Sequence, residues 1–305
     1  MATIEALKRR IDSTRELKSV VSTMKSLAAV NIRQYEGAAA SLSDYNRTVE
    51  TGLQAVLMNR PGARVLVRKA PLERVGAVIF GSDQGMCGPL NEGIVRHARK
   101  TLAALDVPAD ERRLLVVGDR ANAMIEPGEY GEKASFSVPG SLSGVGPTVH
   151  DLLLRIEGWS EERRGRHVYL FHNEQSGGAS YEPRTVHLLP VDADWLERLR
   201  QRPWESSSLP IYTMNPDAIF SSLIREYLFV SLFRAMVDSL AAENASRLAA
   251  MQGAERNISD QLDALQSQYH QKRQMTITEE LLDIVSGFEA LSSGGHGSEA
   301  RAENG

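Results

Sequence analysis

Cysteine is nearly missing from this chain. Cys87 stands alone among 305 residues, which excludes an internal disulfide framework and suits a reducing compartment. Long apolar runs are missing as well: the longest strongly apolar stretch, Tyr227 to Phe233, is closed off by Glu226 and Arg234 and is far too short to cross a bilayer. No transmembrane segment is expected. A strong charge of one sign is also lacking, since a formal net charge of −4 suggests neither nucleic acid nor an anionic membrane as a partner. The first residues are basic and amphipathic, like a transit peptide, but Glu5, Asp12 and Glu16 interleave with the arginines and the pattern runs on unbroken. No cleaved leader is read there.

The motifs of catalysis are lacking too. The segment GSDQGMCGPLN, Gly81 to Asn91, follows an apolar run and precedes a helical stretch, the position at which many α/β proteins hold phosphates on backbone amides. Its residues do not fit that use. A phosphate loop needs GxxxxGK followed by Ser or Thr, whereas Gly88 follows Cys87 and no lysine occurs before Leu90; a dinucleotide GxGxxG is absent. A tight structural turn with Pro89 at the helix start is the favoured reading. Cys87 near a helix N-terminus sits where a thiolate would be favoured, but no partner histidine or acid can be assigned, so a structural thiol is expected. His167 and His172 are five apart and on one strand would point to opposite faces, which makes a poor metal pair. His296 has no companion ligands at suitable spacing. With no paired carboxylates and no Ser/His/Asp grouping, neither catalysis, a cofactor nor a metal is supported.

Two long amphipathic segments at opposite ends are present instead. In the first, Leu7, Thr14, Val21, Ala28, Tyr35, Leu42, Val49 and Val56 recur every seven residues, with Ile4, Ile11, Met24, Ala38 and Tyr45 between them, the repeat of a left-handed coiled coil. In the second, Leu223, Val230, Val237, Met251, Ile258 and Leu265 form one row and Tyr227, Ala241, Leu248, Leu262 and Tyr269 its companion. The phase breaks at Lys272-Arg273-Gln274 and resumes, displaced around the axis, as Ile277, Leu281, Ile284 and Phe288, as a stutter would. A helix of about 75 residues at about 1.5 Å each is roughly 110 Å long, so its apolar stripe must find a partner outside one small domain. We expect an antiparallel pair whose longer C-terminal member outruns the other and faces something else at its tip. The polar residues around the break read equally as a solvated helix face or as a collar that makes directional hydrogen bonds to other subunits.

Between the helices, Val75–Phe80, Leu114–Val117 and Val168–Phe171 are apolar on both faces and fit a small parallel sheet covered by helices. Ala134–Val138 and Thr185–Val191 would add strands, the last in either parallel or antiparallel pairing. The fold class is therefore α/β plus a long antiparallel coiled coil, with a Rossmann-like sheet domain inserted between paired terminal helices. The expected divisions are a first helix over 1–58, a linker over 59–73, the α/β domain over 74–200, a linker over 201–215, a second helix over 216–291 and a disordered tail over 292–305.

Three stretches resemble one family, the gamma subunit, or central stalk, of F-type ATP synthases. LKRRIDSTRELKSVVSTMKSLAAVNIRQ looks like the family's opening helix, with Met24, Ala28, Ala29 and Arg33 at familiar places. GSDQGMCGPLN resembles its SDRGLCGGLN segment. SLAAENASRLAAMQGAERN followed by ITEELLDIVSGFEAL resembles its final helix. The resemblance implies a noncatalytic rotor: an asymmetric helix pair inside a ring of alternating alpha and beta subunits, with the α/β domain gripping the c-ring together with the epsilon subunit. It implies coupling of ion translocation to conformational cycling of the beta sites, on the cytoplasmic face of a bacterial inner membrane, with no direct membrane insertion and no nucleic acid. By match, Met24 and Lys25 would face an acidic loop of a beta subunit, with Arg247 on the facing helix. Gln274, Thr278 and Glu280, with Arg273 beside them, match the family's polar catch; Ile277, Leu281, Ile284 and Phe288 would turn in an apolar sleeve.

The chain also departs from the pattern. Asn31 stands where a lysine is usual, Gln84 replaces the loop arginine, Met86 its leucine and Pro89 its second glycine, differences that resemble the alternate F-type complexes called N-ATPases. The rival readings are a coiled-coil scaffold, which predicts a symmetric homodimer, and an α/β enzyme with helical extensions, which predicts a convergent polar pocket at residues 81–91.

Overall fold

The structure, a computed structural model, describes residues 3–58, 72–162, 166–177, 180–204, 207–208 and 210–295, with side chains left out at 160–162, 166 and 290–295. The first expected linker, apart from Leu72 and Glu73, and the tail beyond Gly295 lie outside these residues.

The chain runs α1 (Ile4–Met58), β1 (Arg74–Phe80), α2 (Leu90–Ala103), β2 (Arg112–Val117), α3 (Asp119–Asn122), β3 (Glu132–Phe136), α4 (Leu142–Glu162), β4 (Arg166–Gly177), β5 (Ser180–Leu189), α5 (Ala193–Gln201) and α6 (Pro216–Gly295). The sheet has the order β3-β2-β1-β4-β5, parallel except for the β4–β5 pair. The fold class read from sequence is the one observed, long terminal helices around a mostly parallel sheet. α6 continues to Gly295, past the Leu291 at which the helix was expected to stop. No helix among the described residues is long and apolar enough to cross a membrane.

The chain divides into two compact units, the first made of Met1–Met24 with Met251–Gly305 and the second of Lys25–Ala250. In the first unit, Leu7 and Ile11 pack on Leu265 and Tyr269, and Val21 and Met24 on Met251, Ala254 and Ile258. The partners run in opposite directions along the two helices, so the pair is antiparallel. Thr14, in the same heptad row, is buried because its hydroxyl donates to the Arg10 carbonyl at 2.7 Å and so leaves a methyl for the seam. Leu7, one turn into α1, meets Leu265 and Tyr269, and from Arg273 to Glu289 the side chains of α6 are exposed but for Thr276.

In the second unit, alternation along the strands assigns each face. Val78, Phe80, Leu115, Val117, Val168 and Leu170 meet α4 and the Leu228–Ala241 stretch of α6. Val75, Ala77, Ile79, Leu114, Val116 and Phe171 meet α2. Strands buried on both sides read as continuous apolar runs for this reason. Val49, Leu53, Val56 and Leu57 of α1 close a further core with Phe220 of α6 and Leu196 and Leu199 of α5. Tyr45 departs from the expected seam. It is 47% exposed and its hydroxyl donates to Glu226 at 2.9 Å.

The row in α6 skips position 244, and the structure supplies the reason. Asn244 is buried there and accepts a hydrogen bond of 3.3 Å from Asn31 of α1, while its own amide donates to the Leu240 carbonyl at 2.8 Å. A polar pair at one seam position fixes the register of two helices at some cost in stability.

Candidate partner-contact site

The expected contact residues do not share one environment. Met24 is half-buried within the first unit, packed beside Val21 and Met251. Lys25 is half-buried at the start of the second. Arg247 is enclosed within the second unit, where its guanidinium donates to the Glu243 carboxylate and, at 3.5 Å, to the Gln84 carbonyl. The structure thus gives Arg247 a partner inside its own chain.

Arg273, Gln274, Thr278, Glu280, Ile277, Leu281, Ile284 and Phe288 are all exposed on α6. At about 100° per residue, Ile277, Leu281, Ile284 and Phe288 fall within one stripe roughly 60° wide, with Arg273 and Glu280 along one side and Gln274 and Thr278 along the other. Their exposures run from 46% at Ile277 to 73% at Phe288. Thr278 answers its own backbone first, donating to the Gln274 carbonyl at 2.9 Å, which leaves its methyl and one lone pair outward. An apolar stripe bordered by polar groups, on a stretch of helix that no other described residue covers, has the form of a recognition helix.

The Gly81–Asn91 loop is a docked turn. The Asn91 carboxamide accepts from Ser82 N at 2.9 Å and donates to Ser82 Oγ at 2.8 Å, and the Asp83 carboxylate accepts from Asp119 N and Val138 N, both at 2.9 Å. Ser82 N, at the head of the loop, is therefore taken up by a side chain of the same loop. The sheet order changes direction between β1 and β4, the point at which open α/β sheets hold ligands, and here α6 covers it: Ser239 Oγ donates to the Phe80 carbonyl at 3.3 Å and Ser246 Oγ to the Cys87 carbonyl at 2.6 Å. Gly118, at φ 108°, allows the β2 turn to reach this crowded edge, where a Cβ would stand 2.6 Å from Ser82 N. Cys87 is 1% exposed and packs with Leu90 and Ala242, in keeping with a structural thiol. Burial holds Glu243 above the usual carboxylate range, and Arg247 opposes that shift.

One cleft collects titratable groups that sequence reading missed. His172, Glu174, Arg184, Ser231, Arg234 and Asp238 line a cavity of about 300 Å³ between the β4–β5 hairpin and α6. It does not assemble a nucleophile: Ser231 Oγ donates to the Tyr227 carbonyl at 2.8 Å, and His172 Nε2 stands 3.9 Å from Asp238. Burial lowers the His172 pKa to about 4 and, offset in part by Arg234, pushes Asp238 up to about 6. Burial thus works against the charged form of both groups.

A sequence profile for ATP synthase matches residues 3–291. The chain belongs to the ATP synthase gamma-subunit family. Solved structures agree on the fold of this family's central stalk. The chain is similar to one in the Euglena gracilis mitochondrial ATP synthase OSCP/F1/c-ring assembly in rotational state 3, at 16% identity and TM-score 0.61, with 99% of each chain covered. A chain of the Euglena gracilis rotor in rotational state 1 gives 15% and 0.58 over 90% of this chain and 98% of that one. A chain of the Tetrahymena thermophila mitochondrial central stalk and c-ring gives 22% and 0.54 over 77% and 99%.

Proposed function

We propose that this gamma-family chain is a noncatalytic rotor: its helix pair turns inside a ring of alpha and beta subunits and couples ion translocation to the nucleotide affinity of the beta sites. The observation that carries the reading is the far part of α6, where among the described residues Ile277, Leu281, Ile284 and Phe288 form an exposed apolar stripe flanked by Arg273, Gln274, Thr278 and Glu280. An apolar sleeve around such a stripe offers few directional bonds to resist rotation. The polar flanks supply hydrogen bonds that make and break at defined angles. One chain biases three chemically identical sites only by offering each a different face, because a ligand shifts an equilibrium by its differential affinity alone. Met24 and Lys25 would touch a beta-subunit loop farther down. The sheet domain would meet the epsilon subunit and the c-ring, with the whole assembly at the cytoplasmic face of a bacterial inner membrane. The fastening of Ser82 N by Asn91 and the α6-covered sheet edge support a role without chemistry of its own.

Removal of residues 274–291 tests this in the assembled complex, read as ATP-driven ion pumping in inverted vesicles. Pumping is expected to fall by at least half while the α/β domain keeps its thermal transition. Unchanged pumping would end the catch and bearing roles.

A further inference from the structure

Three histidines line the edge of the sheet on the face that carries Tyr169 and Phe171. His97 of α2 shares a 2.8 Å hydrogen bond with Thr185 of β5, and two residues along that strand His187 faces His167 of β4. His167 Nδ1 and His187 Nε2 are 3.1 Å apart, with ring centroids at 5.2 Å and ring planes at 29°. The rings therefore meet through their nitrogens, and one proton is shared where two would repel. Tyr169, directly opposite His187 in the β4–β5 register, lies against its ring with centroids 4.8 Å apart. This fixes the plane in which the His187 lone pair points.

We propose that His167 Nδ1 and His187 Nε2 form a two-histidine site for a borderline divalent transition metal such as Zn²⁺, Ni²⁺ or Cu²⁺. An ion that replaces the shared proton binds both nitrogens at about 2.0–2.1 Å, which at a tetrahedral angle sets them about 3.3 Å apart. The observed spacing is within a few tenths of an ångström of that. With its proton on Nδ1, His187 keeps the Nε2 lone pair for the ion. His167 needs only to move its proton to Nε2 to present Nδ1. His187 is exposed and His167 half-buried, so an ion reaches the pair from solvent. Among the described residues no group of three His, Cys, Asp or Glu side chains is close enough to enclose an ion, and water completes the coordination. Mg²⁺ and Ca²⁺, which prefer oxygen ligands, are refused.

The test uses the tag-free full chain titrated with ZnSO₄, NiCl₂ and MgCl₂ by calorimetry, alongside His187→Asn, His167→Asn, His172→Asn and His296→Asn. Zn²⁺ and Ni²⁺ are expected to bind at one equivalent and Mg²⁺ not at all. Loss of a ligand costs no less than loss of an outer-shell partner, so His187→Asn and His167→Asn should each weaken Zn²⁺ binding by about tenfold or more, while the other two variants bind as the parent does. His187 lies exposed on an edge strand, so its substitution alone decides the matter if His167→Asn does not fold. Equal Zn²⁺ affinity in His187→Asn and the parent, loss of binding in His296→Asn, or no Zn²⁺ binding by the parent each overturn the site.

Discussion

Two stretches of α6 have opposite surroundings. Every residue from Ser239 to Arg247 is buried, including Glu243, Asn244, Ser246 and Arg247, whereas every residue from Ile277 to Glu289 is exposed, including Leu281, Ile284 and Phe288. Composition alone would have assigned the two the other way round. The first stretch is polar because it crosses the sheet edge, where strand-end and loop carbonyls need donors, and Ser239, Ser246 and Arg247 supply them. The second is apolar although no other described residue covers it. Burial along a long helix follows what lies opposite each turn, and an apolar stripe left in solvent is the kind of surface on which partners dock.

Breaking the buried stretch should have the largest effect. Arg247→Met leaves the Glu243 carboxylate enclosed without its counter-charge, and Glu243 Oε2 and Arg247 Nε already lack hydrogen-bond partners. We expect a loss of about 3–5 kcal/mol, with most of it recovered when Glu243→Gln is added; urea midpoints of the single and double variants decide it. An unaltered midpoint in Arg247→Met would mean that the pair is solvated and the contrast with the tip unfounded.

Asp238, beside the buried stretch, should give a smaller and pH-dependent effect. Its folded pKa of about 6 lies above the ordinary 3.8, so the stability it contributes is complete below about 3.8 and gone above about 6. Asp238→Asn should therefore stabilise at pH 7.5, by up to about 3 kcal/mol at about 1.4 kcal/mol per pKa unit. The gain should shrink as pH falls through 6. His172, lowered to about 4, acts in the other direction and loses stability as pH falls from 6.5 through 4. The two slopes oppose each other in the parent, and the variant should show the His172 slope alone. Denaturant midpoints at pH 7.5 and 5.0 read both; a variant less stable than the parent at pH 7.5 would refute the assignment.

The smallest effect on stability belongs to the tip. Leu281→Ala should stay within about 0.5 kcal/mol of the parent, whereas Leu232→Ala, at 0% exposure, should cost about 2–5 kcal/mol. Thermal melts of the two side by side measure the contrast. If the chain is the rotor proposed above, the ranking should reverse in the assembled complex, with Leu281→Ala the more damaging to pumping.

Much of this architecture is legible in sequence where a period is strict. The heptad row through Leu7, Val21, Ala28, Tyr35 and Val49 is buried as read, and Val75–Phe80 is a central strand because both of its faces are covered. Features that depend on register are not legible. Asn244 interrupts an apolar row and looks like noise until Asn31 stands opposite it. Glu243 and Arg247 have the spacing of a surface ion pair, and only the docked loop makes them internal. The facing of His167 and His187 needs the β4–β5 pairing, which no local pattern encodes. For the tip of α6, sequence shows the stripe and its polar borders, and the structure adds that no other described residue covers them.

The Asn31–Asn244 contact bears on how a long helix pair survives load along its axis. A slip of one heptad would set each amide against an aliphatic neighbour such as Ala38 and leave it without a partner, at about 1–3 kcal/mol for each orphaned group. The two carboxamides thus work as a detent: the helices can twist and bend together, but telescoping past one another has to climb a step that no leucine would impose.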